Sequence, residues 1–224
     1  MTSTAEHLAE TEFLDFSAPA VAGLVAKALP DGPDALTPTE RAVKLFFAVR
    51  DGIHYEVYGA DMSRDGLRAS AIIKKGMGFC VQKSIVYAAA LRSVGVPSRL
   101  VYGDVRNHLA SDRLRELVGG DVFRFHSLTS VHLDGKWVKA TPVFNKMLCK
   151  LYGIAPLDFD GTADSLYHPY DTNGRRHMEF LQMRGEYDDF PYELVVEGIR
   201  EAHPRLFEKD DETTEGSLVA EAGR

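Results

Sequence analysis

Gly76-Met77-Gly78-Phe79-Cys80 runs straight into Val81-Gln82-Lys83-Ser84-Ile85-Val86-Tyr87-Ala88-Ala89-Ala90-Leu91-Arg92-Ser93-Val94 and is closed by Gly95-Val96-Pro97; the reading of this chain turns on that stretch. A glycine-rich turn feeds an alanine-rich segment of helical period. Gly95 is a natural helix C-cap and Pro97 keeps the helix from resuming. Cys80 therefore stands where the helix begins, with unpaired backbone N–H groups and the positive end of the helix dipole facing its sulfur. That setting predicts a thiolate, because a helix N-terminus and a cationic neighbour can lower a thiol pKa from ~8.5 into the range ~3.5–7.5. The amides of Phe79 and Cys80 are then candidates for an oxyanion hole. The competing reading makes Cys80 a small apolar residue at the base of a buried helix, as most buried cysteines are. Gly76 and Gly78 shift the balance toward chemistry.

Downstream, Ser98 to Val105 carries the β-formers Leu100, Val101, Tyr102 and Val105 and reads as a strand. The polar stretch Arg106 to Asp121 is a long surface excursion with room for one helical turn, and whether it acts as a lid is left open. Phe123–Leu133 and Lys136–Thr141 are two strands joined by Asp134-Gly135, a two-residue hairpin signal. A nucleophilic cysteine needs a base, and His126 near the start of the first hairpin strand is the candidate. If Leu133 pairs with Lys136, counting outward sets Val143 opposite His126 and Thr141 diagonal to it, ~7–8 Å away at Cα. Thr141 thus fills the slot for a group that orients the imidazole. Its hydroxyl accepts a hydrogen bond but carries no charge, so it would stabilise imidazolium poorly.

Upstream, Thr37 or Thr39 caps a helix with Pro38 in its first turn, Ile53–Tyr58 is extended, and Leu67–Ile73 is a short helix stopping at Lys75-Gly76. Residues 1–36 read as a helical arm interrupted by Pro19. Past Pro142 the chain looks irregular through Asp189, then offers a helix over Tyr192–Ala202, and 210–224 reads as a disordered acidic tail.

The 224 residues suit one domain with embellishments, and 45% hydrophobic with 26% charged residues is ordinary for a globular protein. With 26 basic against 33 acidic residues, a net charge of −7, nucleic acid is a poor partner. Two cysteines, Cys80 and Cys149, are too few for a disulfide framework or a thiolate metal cage, so no metal or other cofactor is expected. The early residues Glu6, Glu10, Glu12 and Asp15 do not resemble an export signal, and no apolar run is long enough for a membrane span. A cytoplasmic location without membrane association is expected. The oligomeric state is left open.

Together these segments resemble the transglutaminase-like superfamily of papain-related cysteine enzymes. The resemblance rests on Gly76–Cys80 opening a helix, on Ala88 to Gly103, on His126 at a strand start, and on Gly135-Lys136-Trp137-Val138-Lys139-Ala140-Thr141-Pro142. It implies an α+β fold in which a nucleophile helix packs against an antiparallel sheet, here over residues 37–209. It also implies Cys80 as nucleophile and His126 as general base in acyl transfer at a peptide or amide, through a thioester, to water or to an amine. Two departures stand out. The family usually has Asp where this chain has Thr141, and Trp where it has Val81 and Leu128. Asp158, Asp160, Asp164 or Asn145 are candidates to replace the acid by residue type. A rival of a different class is the same fold kept as a binding or scaffold module after loss of the acid. A third reading, with His126, His168 and His177 plus Asp164 or Asp171 as metal ligands, lacks any His-x-x-x-His spacing.

Overall fold

Asp134 and Gly135 both adopt positive φ, 50° and 81°, the backbone that a two-residue hairpin requires. They join two strands of a four-stranded antiparallel sheet in the computed structural model, which describes residues 5–167, 170–208 and 216–221. In chain order the helices are α1 (Pro19–Ala28), α2 (Pro38–Gly52), α3 (Ala69–Lys75), α4 (Cys80–Ser93), α5 (Asp112–Val118), α6 (Lys146–Tyr152) and α7 (Tyr192–Ala202). The strands are β1 (His54–Tyr55), β2 (Met77–Gly78), β3 (Ser98–Asn107), β4 (Val122–Leu133), β5 (Lys136–Ala140) and β6 (Met178–Tyr187). The sheet order is β5-β4-β3-β6, while β1 and β2 form a separate parallel pair. A final helical turn spans Leu218–Glu221.

The hairpin register is the expected one: Leu133 faces Lys136 and Thr129 faces Ala140, where the ladder ends. Among the helices α4 is the structural centre, packed against β3, β4, α1, α2 and α3. Every residue from Cys80 to Arg92 is buried, so no polar face exists and no amphipathic stripe is needed. Its two buried cations are satisfied by backbone. Lys83 Nζ donates to the carbonyls of Arg50 and Ile53 at 2.8 and 2.5 Å, and Arg92 reaches the carbonyls of Ala9, Ser98 and Asp188. Thr129 Oγ1 on β4 donates to the Ser84 carbonyl at 3.3 Å and ties sheet to helix. At α2, Thr37 is the cap: its hydroxyl accepts from the Glu40 amide while Glu40 accepts from the Thr37 amide.

Three expectations need correction. Pro19 does not interrupt a helix; it starts α1, where its missing N–H costs nothing. The stretch after Pro142 is not irregular throughout, since it holds α6 and the edge strand β6. Within the acidic tail Leu218–Glu221 form a helical turn with Leu218 buried; 210–215 and 222–224 lie outside the described residues. The N-terminal segment wraps the core, burying Phe13, Leu14 and Val21. No helix among the described residues is long and apolar enough to cross a membrane.

Candidate active site

Gly76, in the left-handed region at φ 71°, ends α3 and turns the chain into β2, which pairs with β1 through His54–Met77 and Tyr55–Gly78. Two residues later Cys80 opens α4. Gly78 is required by space: a Cβ there would lie 2.8 Å from the Gln82 side chain. That same glutamine closes the helix start, because its Oε1 accepts the Phe79 N–H at 3.1 Å. The Phe79 amide is therefore occupied and does not serve as an oxyanion donor, contrary to the sequence expectation. The amides directed at the Cys80 sulfur are those of Ser127, Val81 and Cys80 itself.

His126 reaches the site through an irregularity in β4. Gly103 pairs with His126 and Val105 with Phe123, so Arg124 and Phe125 together oppose the single residue Asp104. This is a β-bulge, and Phe125 takes φ 55° within it. The bulge is held by a fully buried carboxylate. Asp104 accepts from the Phe125 amide at 3.3 Å, from Arg124 Nη1 at 2.5 Å and from Arg184 Nε and Nη2 at 2.5 and 3.0 Å. Those partners hold its carboxyl below the ordinary carboxylate range even though burial pushes the other way. From α7's side, His203 Nε2 accepts the Arg124 amide at 3.0 Å.

Cys80 and His126 line one large cavity, as do Tyr55 on β1 and residues of α5 and α7. Ser127, the next residue after His126, supplies one of the amides facing the sulfur. No hydrogen bond joins the thiol to the imidazole among the described residues. Both groups are nearly excluded from solvent, at 6% and 7% exposure, and the consequence is opposite in direction for each. Burial pushes the Cys80 thiol up to about 11, against the pull of the three amides, and pushes the His126 ring down to about 4. The expected low thiol pKa is thus corrected: desolvation outweighs the helix terminus, and the resting pair is thiol and neutral imidazole.

Thr141 and His126 share a second, smaller cavity. The Thr141 hydroxyl is buried without a hydrogen-bond partner, so it does not hold the imidazole by a hydrogen bond; the β4–β5 ladder ends at Ala140, one residue before it. The alternative acids are engaged elsewhere. Asn145 Oδ1 accepts the Tyr55 amide, Asp158 pairs with Arg50, Asp160 caps Thr162, and Asp164 accepts the Lys139 amide. No charged group acts on His126, whose shift comes from burial alone. Of the metal-ligand set, His168 lies outside the described residues, and no group of three His, Cys, Asp or Glu among the described residues could hold a metal ion.

Sequence reasoning missed Asp104, the Ser127 amide and Tyr55. For Asp104 a signal existed: a carboxylate in the middle of the apolar run Leu100–Val105 is costly unless paired. The Arg106–Asp121 excursion lines the cavity through Asn107, Leu109, Ala110, Ser111, Leu114 and Val118.

The family model described as transglutaminase-like superfamily matches residues 28–142, just over half of the chain and a span that includes Cys80, His126 and Thr141. Among solved structures, a candidate cysteine protease from Cytophaga hutchinsonii is similar, with a TM-score of 0.42 and 13% sequence identity. The match covers 81% of this chain and 53% of that one, so the chain spans about half the length of that structure. No curated protein matches.

Proposed function

Because this chain belongs to the transglutaminase-like superfamily, we propose that it is a cysteine-dependent hydrolase or acyltransferase acting on a peptide or other amide-bearing substrate. One observation carries the reading: Cys80 and His126 open onto the same cavity, and the residue after His126 directs its amide at the sulfur. In this reading His126 takes the thiol proton as sulfur attacks the substrate carbonyl, the leaving group departs with that proton, and a thioester on Cys80 is released to water or to an amine. The pair starts neutral, so proton transfer accompanies attack instead of preceding it. The Ser127 and Cys80 amides, already near the sulfur, suit the role of donors to the developing oxyanion. A reducing, cytoplasmic setting belongs to the same proposal, since both cysteines are free.

The binding-module reading is favoured by a specific observation, the uncharged and unbonded Thr141 beside His126. An activated ester or amide incubated with the protein separates the two. An enzyme leaves a hydroxylamine-labile acyl mass on Cys80 that is absent from Cys80→Ala. A module leaves no such adduct.

A further inference from the structure

We infer that the acyl group delivered to Cys80 is a hydrocarbon one free of positive charge, aliphatic or aromatic and several carbons long; this rests on the thioester reading above. The cavity that Cys80 enters also reaches α5, α6, α7 and the Leu218 turn. Its walls are built largely of hydrocarbon, with Met62, Leu114, Phe123, Leu148, Ile199 and Leu218 contributed from six separate segments of the chain.

Several polar side chains in those walls are already bonded within the protein. Asn107 Oδ1 accepts the Leu109 amide at 3.1 Å, and Ser111 caps α5 and donates to Glu221. Arg124 pairs with Asp104, a carboxylate that also holds Arg184, and Tyr152 donates to the Leu218 carbonyl at 2.9 Å. His203 accepts the Arg124 amide and donates from Nδ1 to the Val118 carbonyl at 2.6 Å. His177 has a partner as well. At the Cys80 end of the wall stand the His126 ring and the Tyr55 hydroxyl. Both are neutral at pH 7, since burial holds the phenol well above its ordinary value and the imidazole at about 4. Both also belong to the Cys80 end of the site, Tyr55 by pairing with Gly78 and His126 by preceding Ser127. Among the lining residues the chamber offers no carboxylate, so a cationic acyl group would lose its hydration unpaid, whereas each methylene gains by burial.

The chemistry balances with water as the only co-reactant. The Cys80 proton moves to His126 as the S–C bond forms and the carbonyl electron pair moves to oxygen. Collapse breaks the bond to the leaving group, which departs with the proton from His126. Water then adds to the thioester carbonyl and gives a proton to His126. The C–S bond breaks, the thiol regains that proton, and the acid leaves.

The test is a series of p-nitrophenyl esters, acetyl, butyryl, hexanoyl and the cationic 6-aminohexanoyl, with the full chain and with Cys80→Ala. At ~0.8 kcal/mol per buried CH₂, roughly fourfold each, Cys80-dependent kcat/KM should rise at least about tenfold from acetyl to hexanoyl. 6-Aminohexanoyl should fall at least about tenfold below hexanoyl. Cys80-dependent turnover that is flat with chain length, or that prefers 6-aminohexanoyl, overturns the hydrocarbon assignment and leaves the thioester chemistry standing. Turnover of every ester unchanged in Cys80→Ala overturns that chemistry and the assignment with it.

Discussion

Cys80 illustrates how a single residue receives opposing instructions from its surroundings. The helix start and three amides favour the anion, while nearly complete burial disfavours it, and burial wins, with the thiol at about 11. Alkylation by iodoacetamide at pH 7 should therefore be slower than for a small free thiol. With a reference near ~8.5, the thiolate fraction is roughly 300-fold lower. The rate should climb steadily with pH until it approaches 11, as followed by intact mass. A rate at pH 7 matching that of glutathione would contradict the neutral resting pair. Thr141 is the position where one substitution can change this balance. Thr141→Asp sets a carboxylate in the cavity shared with His126, favouring imidazolium. The ring should then titrate nearer its ordinary value, read by NMR of the imidazole protons, and alkylation at pH 7 should speed up. The placement of Cys80 at a helix start and of His126 on the first hairpin strand was legible because the signals are local: a turn before a helix, and the turn pair Asp134-Gly135. The direction of the thiol shift was not legible, since the elements packed around α4 include β3 and β4, which lie beyond it in the chain and close over it only in the fold.

At the level of elements, the bulge in β4 links the fold to the site. Asp104 on β3 holds Arg124 and Phe125 on β4 and Arg184 on β6, and the Arg184 guanidinium lies 4.4 Å from the centre of the Phe125 ring. Asp104→Asn keeps the shape and removes the charge, leaving two guanidinium groups without their counter-ion. A loss of about 2–4 kcal/mol in urea unfolding is expected, with slower acylation of Cys80 because the strand carrying His126 is no longer fixed. Wild-type stability in this variant would show that the bulge is held by other contacts. Helix α7, helix α4 and the hairpin turn could be read from residues alone, each having a clear cap, period or turn pair. Strand β6 could not. It leaves Leu181 and Met183 40% and 47% exposed at the sheet edge and is broken by Gly185 at φ 141°, so the alternation that marks a strand is absent. Helix α6 is only seven residues long and offers too little period to recognise.

Over the whole molecule, the chain uses both ends to enclose its centre. The N-terminal segment covers α4, with Arg92 bonded to the Ala9 carbonyl, while Leu218 is held by its amide to Glu56 and by its carbonyl to Tyr152. Enclosure has a consequence for stability against acid. His126 titrates near 6.5 when unfolded and at about 4 when folded, so between those values the unfolded state binds more protons and stability falls as pH falls. At ~1.4 kcal/mol per pH unit over that interval, the loss reaches about 3 kcal/mol. His203, also lowered by burial, acts in the same direction. The carboxylates lowered by their partners, Asp51 and Asp104, add their loss only below about 3.8. Urea midpoints at pH 7 and pH 4.5 should therefore lie closer together in His126→Gln than in the unaltered protein; an identical difference in both would place the acid sensitivity elsewhere. The most direct measurement is the single-turnover rate at which an activated hexanoyl ester acylates Cys80 at pH 7, compared between the unaltered protein and His126→Ala. A fall of at least about 100-fold, the usual contribution of a general base, is expected with the circular dichroism unchanged. Equal rates would contradict the pairing of Cys80 with His126.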